Sequence, residues 1–337
     1  MGVKPVVSPV EIRSSTISIN PVLIAPSRSK RPSDFKTDET VKTGFCPFCP
    51  GNEEYTPDPE CFRIDQGGGN GWSLRVVPNK FPALPAEGAS KFLIDAASSS
   101  TIADAHGAHE VIIETPGHND DLSTMSPQQI KYLLLAIVSR TQDLYRDSGI
   151  RYIQVFKNHG AEAGASLEHP HTQLIGLPEI PDKISTRLHR LDIYRSSNGR
   201  SIFETMLERS ANDKRIVINS TNFVCFCPYE SKFPFEMCIV PLKEHSCLVH
   251  SRNDFEKLSE VISEAFKRLA RVFNGLPPFN FCLDEAPPSR DCSRFYRWRL
   301  RLFPRVTKMA GFELATSFFI NPTSPEEAAQ ILSDASL

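Results

Sequence analysis

Two histidines one residue apart, in GASLEHPHTQL at residues 164–174, are the side chains of this sequence best spaced to do chemistry. If the segment is a strand, His169, His171 and Gln173 share one face, because side chains alternate with a period of two. The GAEAGAS run before them supplies glycines and a serine, a loop whose backbone N–H groups can approach phosphate oxygens. A neutral imidazole beside such a loop is a competent nucleophile at pH 7 and needs no strong base to activate it. Attack at phosphorus would form an N–P bond that is readily broken again, which suits a two-step group transfer. A plain solvent-facing strand has little use for Pro170 and a small-residue lead.

A second chemical signal is Cys46-Pro-Phe-Cys49. That spacing lets two thiolates reach one tetrahedral ion, although a redox pair or accident gives the same pattern. The chain has no second Cys-x-x-Cys, so further ligands would have to be histidines. His118, after TPG, and His169 both stand at the ends of predicted strands. A Cys2His2 site built from such distant segments would be closed and structural, pinning the N-terminal loop to the core.

The elements that must carry these residues can be read from periodicity. A helix is expected over 126–149, capped by Ser126, with Pro127 in its first turn, Gln129 completing a capping box and Gly149 as its stop. A second helix reads from Asn253 to Phe273 with Gly275 after it, and a third opens at SPEE, 324–327. Strands are expected at HEVIIETPGH (109–118), RYIQVFKN, HPHTQLIGLP (169–178), FNFCL and RWRLRLFP (297–304). The order strand, helix, strand recurs in both halves, so each half reads as an α+β unit with an antiparallel sheet and packed helices. The expectation is two related domains, 1–185 and 186–337, with the charged stretch 179–200 connecting them. A single sheet running through both halves fits the patterning as well.

With 38 basic and 40 acidic residues among 337, the formal net charge of −2 gives no electrostatic case for nucleic acid. No apolar run is long enough to span a bilayer, and the N-terminus lacks the apolar core of a signal peptide. A cytoplasmic protein is therefore expected, with reduced thiols. Cys225, Cys227, Cys238 and Cys247 read as buried free thiols in apolar surroundings.

Taken together, CPFC, TPGH, KNHGAEAGASLEHPHTQ and SRSKRPSDF resemble the galactose-1-phosphate uridylyltransferase family of the histidine-triad superfamily, over about residues 20–330. The resemblance implies two histidine-triad-like domains, each a half-barrel of antiparallel strands. It also implies that His171 is the nucleophile that takes a nucleoside monophosphate, and that Cys46, Cys49, His118 and His169 are zinc ligands. Gln173 would hydrogen-bond the phosphoryl oxygens, in a place where triad hydrolases carry a third histidine. Asn158, Gly164 and Ser166 would line the phosphates, Arg28 and Arg31 would meet the substrate's charged end, and Asn79 would bind the ribose. In the C-terminal segment Glu313 would accept from a sugar hydroxyl, and Lys308 would meet a phosphate. Relatives are dimers, so a homodimer is expected.

The sequence departs from the family in its second half. Arg297, Arg299 and Arg301 stand where histidines would be expected, Ser201 and Glu204 where some relatives have a cysteine pair, and only His245 is in a place suited to a metal. Arginine stays protonated and cannot ligate a metal here. One zinc per chain follows, with a second half that does no catalysis, and the arginines are left to pair with carboxylates or to recruit a sugar phosphate. The leading reading is a ping-pong transferase that takes the uridylyl group from UDP-glucose to a sugar 1-phosphate. The alternatives are a relative that phosphorolyses ADP-glucose through an adenylyl intermediate, and a zinc-stabilised nucleotide-sugar-binding protein without catalysis.

Overall fold

The computed structural model describes residues 11–17, 20, 22–24, 44–67, 71–85, 92–95, 100–103 and 106–336. Its strands, in chain order, begin with β1 (Glu11–Arg13), β2 (Val22–Ile24), β3 (Phe62–Asp65), β4 (Trp72–Pro78), β5 (Phe92–Asp95), β6 (Ser100–Ala103) and β7 (Ala108–Ile113). They continue as β8 (Tyr152–His159), β9 (His171–Leu177), β10 (Ile216–Asn219), β11 (Phe223–Phe226), β12 (Met237–Pro241), β13 (Phe279–Asp284), β14 (Arg299–Pro304) and β15 (Phe319–Asn321). The helices are α1 (Pro127–Leu144), α2 (Asp182–Asn198), α3 (Ile202–Asn212), α4 (Phe255–Phe273), α5 (Gly311–Thr316) and α6 (Pro325–Asp334).

Ten strands make one antiparallel sheet in the order β10-β11-β12-β14-β13-β8-β9-β7-β4-β3. Each half of the chain contributes five of them, and the halves meet where β8 pairs with β13, Phe156 opposite Cys282. The α+β class and the antiparallel pairing are as the sequence implies, and the sheet runs on through both halves. The expected division after residue 185 falls within α2. A smaller sheet, β1-β2-β15, ties the two ends of the chain together.

The alternation of each strand sorts its side chains between two layers. Leu74, Ile112, Leu174, Val155, Leu283 and Leu300 pack with apolar residues of α1, α4 and α6 in one large core. Burial of each such side chain stabilises by roughly 1.5–3 kcal/mol. On the opposite face, α2 and α3 cover β11, β12 and the β13–β14 region, with Leu188, Leu191 and Phe203 against Phe226 and Cys238. The middle of that face, toward β8 and β9, is left for a site.

Two local expectations change. The first helix ends at Leu144, short of Gly149, and the Ser126 hydroxyl accepts from the Gln129 N–H at 3.2 Å. The Gln129 side chain does not return to close a capping box, because it donates to the backbone oxygens of Ser73 and Glu114 and fastens α1 to the sheet. The stretch 179–200 is helix α2 and not a connection. Its charges mask Ile184, Leu188 and Leu191, which bury one stripe, and Gly199 closes it in the left-handed conformation that favours glycine.

Candidate active site and metal-ligand cluster

The turn at the CPFC segment is closed by the Cys49 N–H donating to Cys46 O at 3.3 Å and by the Asn52 side chain donating to the same oxygen at 2.8 Å. It delivers both sulfurs to His118 and His169. One ligand atom from each of these four residues lies within 4.8 Å of all the others. Cys49 Sγ is 3.3 Å from His118 Nδ1 and 3.6 Å from His169 Nδ1. Sulfur and nitrogen ligands on a tetrahedral zinc ion would stand about 3.5 Å apart, given Zn–S ~2.3 Å and Zn–N ~2.0 Å. His169 Nε2 donates to Thr115 O at 2.8 Å, which leaves the lone pair on Nδ1 facing the sulfurs. Burial first, and then the hydrogen bond with Cys46, push the Cys49 thiol up to about 11. Two thiols held this close are a donor set that calls for a cation, so these residues fit a metal ion. The four ligand positions named from sequence thus come together.

Two residues after His169, His171 opens β9 and is 5 % exposed. Its Nδ1–H donates to His169 O at 2.8 Å, so the lone pair is on Nε2. Burial above all, with the charge of Lys157 adding to it, lowers the imidazole below its ordinary value, which keeps the ring uncharged at neutral pH. Phe48, from the cysteine turn, meets the ring edge-on at 5.5 Å between centroids. The metal-ligand cluster and the histidine are thus fixed relative to each other through one backbone carbonyl and one aromatic ring.

Behind this strand, on the helix-covered face, lies a buried polar triad. Lys157 Nζ donates to Glu114 Oε1 at 2.9 Å and to His171 O at 3.3 Å, and the Thr172 hydroxyl donates to the same carboxylate oxygen at 2.6 Å. Lys157 and Glu114 are 1 % and 0 % exposed. Sequence reading missed this triad, because a lysine inside a strand and a glutamate at a strand end carry no spacing signal. Strand alternation could have found Lys157, which falls on the apolar face of β8.

Gln173 and Asn158 are both held through their carbonyl oxygens. The Ala83 N–H donates to His109 Nδ1 at 3.0 Å, so the hydrogen of that ring is on Nε2, where it donates to Gln173 Oε1 at 2.9 Å. On β8, Asn158 Oδ1 accepts from Asn280 Nδ2 at 2.9 Å. Among the described residues neither NH2 group has an acceptor, so both are left for a ligand, the polarity that phosphoryl oxygens need. Asn79 Oδ1 accepts from the Phe81 N–H at 2.9 Å, and its Nδ2 stands 3.1 Å from His109 Nε2. His109 was not singled out in the sequence, although it shares a sheet face with Gln173 two strand positions from Val111.

His171, Gln173, Asn79 and Ser166 line a cavity of about 550 Å³. Its walls are largely apolar, with Phe45, Phe48, Tyr55, Phe81 and Val111 among them. That is a surface for a flat ring, with hydrogen-bonding groups gathered at one end. Ser166 also lines an adjoining cavity with Gly160, Ala161 and Ala165 from the glycine-rich loop. Gly160, at φ +80°, could not carry a side chain, since a Cβ would lie 2.9 Å from Pro278. Gly164, at φ +84°, is left-handed with open space around it.

The remaining expected residues lie elsewhere. Arg28 and Arg31 fall outside the described residues. Lys308 is exposed and pairs with Glu162 of the glycine-rich loop at 3.5 Å, near the site without entering the His171 cavity. Glu313 accepts from the Ala310 N–H at 3.0 Å and caps α5, so within one chain it is occupied with helix capping. Ser201 and Glu204 form the capping box of α3. His245 Nδ1 lies 2.8 Å from the Ser251 hydroxyl. Arg299 and Arg301 pair with Asp284, and Arg297 donates to Pro241 O.

A family model described as a domain of unknown function, DUF4921, matches residues 69–335. The chain is 33% identical over 336 residues to an ADP-glucose phosphorylase of Arabidopsis thaliana, covering 97% of this chain and 93% of that protein. It is 26% identical over 336 residues to a galactose-1-phosphate uridylyltransferase of Thermotoga maritima, covering 96% and 98%. The crystal structure of the Arabidopsis ADP-glucose phosphorylase with bound ADP-glucose superposes with a TM-score of 0.84 at 32% identity, over 98% of this chain and 100% of that one. The chain belongs to the family of galactose-1-phosphate uridylyltransferases and ADP-glucose phosphorylases. As a member it is a nucleotidyltransferase-type enzyme of carbohydrate metabolism, with the histidine-triad-like fold. No helix among the described residues is long and apolar enough to cross a membrane.

Proposed function

We propose that this enzyme is an adenylyl-transferring phosphorylase of a nucleoside-diphosphate sugar, with ADP-glucose as donor and inorganic phosphate as acceptor. His171 Nε2 attacks the α-phosphorus, an N–P bond forms, and the bond from that phosphorus to the bridging oxygen breaks, releasing glucose 1-phosphate. An oxygen of phosphate then attacks the same phosphorus, the N–P bond breaks, and ADP leaves with the histidine restored. The NH2 groups of Gln173 and Asn158 donate to the phosphoryl oxygens, the glycine-rich loop with Gly164 and Ser166 borders them, and Asn79 faces the ribose. The aromatic walls of the cavity stack on the base.

Holding the nucleophile and donors in place accounts for most of the catalysis in this reading, as expected for phosphoryl-type transfer. Gln173 favours transfer over hydrolysis, since an amide cannot shuttle a proton to a leaving group as a third histidine does. Cys46, Cys49, His118 and His169 would hold one zinc ion, which supplies structural charge and anchors the residue before the nucleophile strand. Arg28, Arg31, Lys308 and Glu313 are assigned to the sugar-phosphate side, with Glu313 reaching it in a homodimer.

The observation that carries the choice of donor is the greater likeness to the ADP-glucose phosphorylase, 33% against 26% over matching lengths. It reverses the order of preference given under Sequence analysis, which put uridylyl transfer first. Uridylyl transfer from UDP-glucose is the second reading, favoured by the full-length match to the uridylyltransferase of Thermotoga maritima. Incubation with each donor followed by intact-protein mass measurement separates them. An adenylyl adduct from ADP-glucose, discharged by phosphate, is expected, and a uridylyl adduct discharged by a sugar 1-phosphate would establish the second reading.

A further inference from the structure

The open face of the sheet does not end at the nucleophile. Gln173 on β9, Phe156 on β8, Cys282 on β13 and Arg301 on β14 stand opposite one another in one row. Arg301 is therefore three strand spacings from Gln173, about 14 Å at ~4.8 Å per strand. Around it the chain gathers cations from three places: Arg299 and Arg301 from β14, Lys183 and Arg187 from the first turns of α2, and Lys232 from the segment before β12. All five line one small cavity.

Their charges are not balanced. Arg187, Arg299 and Arg301 share one carboxylate, Asp284, at 3.0, 2.8 and 2.9 Å. Glu236 is used by the backbone, accepting from the N–H groups of Lys232 and Phe233 at 2.6 and 3.4 Å. Glu230 accepts from the Ser15 hydroxyl at 2.7 Å. Neither Lys183 nor Lys232 has a carboxylate at ion-pair distance among the described residues, and Lys232 Nζ sits over the Phe319 ring at 4.5 Å. Arg187 and Arg299 are 3 % and 5 % exposed, and the Nε of each finds no acceptor. Among the described residues, even with Asp284, Glu230 and Glu236 all ionised, the five cations lining the cavity leave two positive charges over. Burial and then the charge of Lys183 push Lys232 down to about 8 against the opposing charge of Glu236. The cavity holds about 30 Å³, room for two or three water-sized oxygens at the ~10–15 Å³ each needs. A nucleotide is too large for it.

We propose that this cluster binds a compact tetrahedral oxyanion, inorganic phosphate, at a site separate from the nucleotide cavity. Two of its oxygens would sit inside against the guanidinium N–H groups and the others at the mouth, facing the two ammonium groups. Bound there, the anion would join α2 to β14 and stabilise the folded chain by an amount that grows with the logarithm of the phosphate concentration above its Kd.

The test is thermal melting and calorimetric titration of the full-length, metal-loaded protein with inorganic phosphate, at ionic strength held constant with chloride. Wild type and His171→Gly should both gain melting temperature as phosphate rises, while Lys183→Gln/Lys232→Gln should lose that gain and melt normally in chloride. If the double variant does not fold, Lys183→Gln alone, in the exposed first turn of α2, should weaken the phosphate midpoint by about ten- to a hundredfold, as loss of one charge-assisted hydrogen bond would. The proposal is overturned if phosphate stabilises wild type no more than chloride does. It is equally overturned if the lysine variants keep the full response, or if His171→Gly abolishes it.

Discussion

Replacing His109 by phenylalanine keeps a ring in β7 and removes two hydrogen bonds, the Ala83 N–H to Nδ1 and the Nε2–H to Gln173 Oε1. The first ends at an exposed backbone N–H that water can satisfy, so stability should change little. The second is what turns the Gln173 NH2 toward the cavity. Without it the amide can flip and offer its carbonyl oxygen to an anionic phosphoryl group, an orientation that does not bind. The preference lost is one neutral hydrogen bond, about 0.5–1.5 kcal/mol. At ~1.36 kcal/mol per tenfold, single-turnover formation of the nucleotidyl adduct should slow by about two- to tenfold. Gln173→Glu, which keeps the acceptor for His109 and loses the donor to phosphate, should slow it more. The decisive assay is the double-mutant cycle with Gln173→Ala: if His109 acts through the amide, His109→Phe should cost nothing further in that background. An equal loss in both backgrounds, or no loss in the wild type, would mean that His109 does not act through the Gln173 amide.

Other expectations follow from the buried charges and the cysteine turn. Lys157→Met leaves the fully buried Glu114 carboxylate with only the Thr172 hydroxyl as donor, and urea unfolding should show a loss of about 3–5 kcal/mol. Adding Glu114→Gln should recover part of it, and no recovery would mean that the pair does not act as a unit. Burial alone would raise the Asp284 carboxyl, but Arg301, Arg187 and Arg299 outweigh it and hold it well below the usual range. Its contribution is thus present above the unfolded pKa of ~3.9 and is lost as the pH falls further. Asp284→Asn should accordingly destabilise most near pH 7, with a gap from wild type that narrows below about pH 4; a gap independent of pH would contradict this. Cys49→Ser should release the metal and lower the melting temperature, measured by metal analysis and calorimetry, and full retention of one zinc per chain would remove Cys49 from the ligand set.

Much of the site was legible because its parts obey short spacings. The Cys-x-x-Cys turn, the His-Pro-His alternation and the glycine-rich lead are local patterns, and the structure draws Cys46, Cys49, His118 and His169 into one cluster beside His171. What escaped was set by pairing between distant strands. His109 and Gln173 meet through the β7–β9 register, and Glu114 reaches Lys157 from another element. No window of neighbouring residues contains either contact. Helix α2 was hidden for a different reason, since only three buried apolar positions in seventeen residues mark its inner face. Arg187, which joins the Asp284 cluster, is buried on that helix as an ion-pair partner and so carried no apolar signal.

In the proposed mechanism the imidazole of His171 carries the nucleotidyl group between donor and acceptor. That role is tested most directly by mixing the protein with ADP-glucose labelled in the α-phosphate, quenching, and locating the label on the digested chain. Label is expected on the peptide holding His171 in the wild type, with discharge on adding phosphate and no label in a folded His171→Gly variant. Label that persists in that variant, or its absence from the wild type with ADP-glucose and UDP-glucose alike, would contradict it.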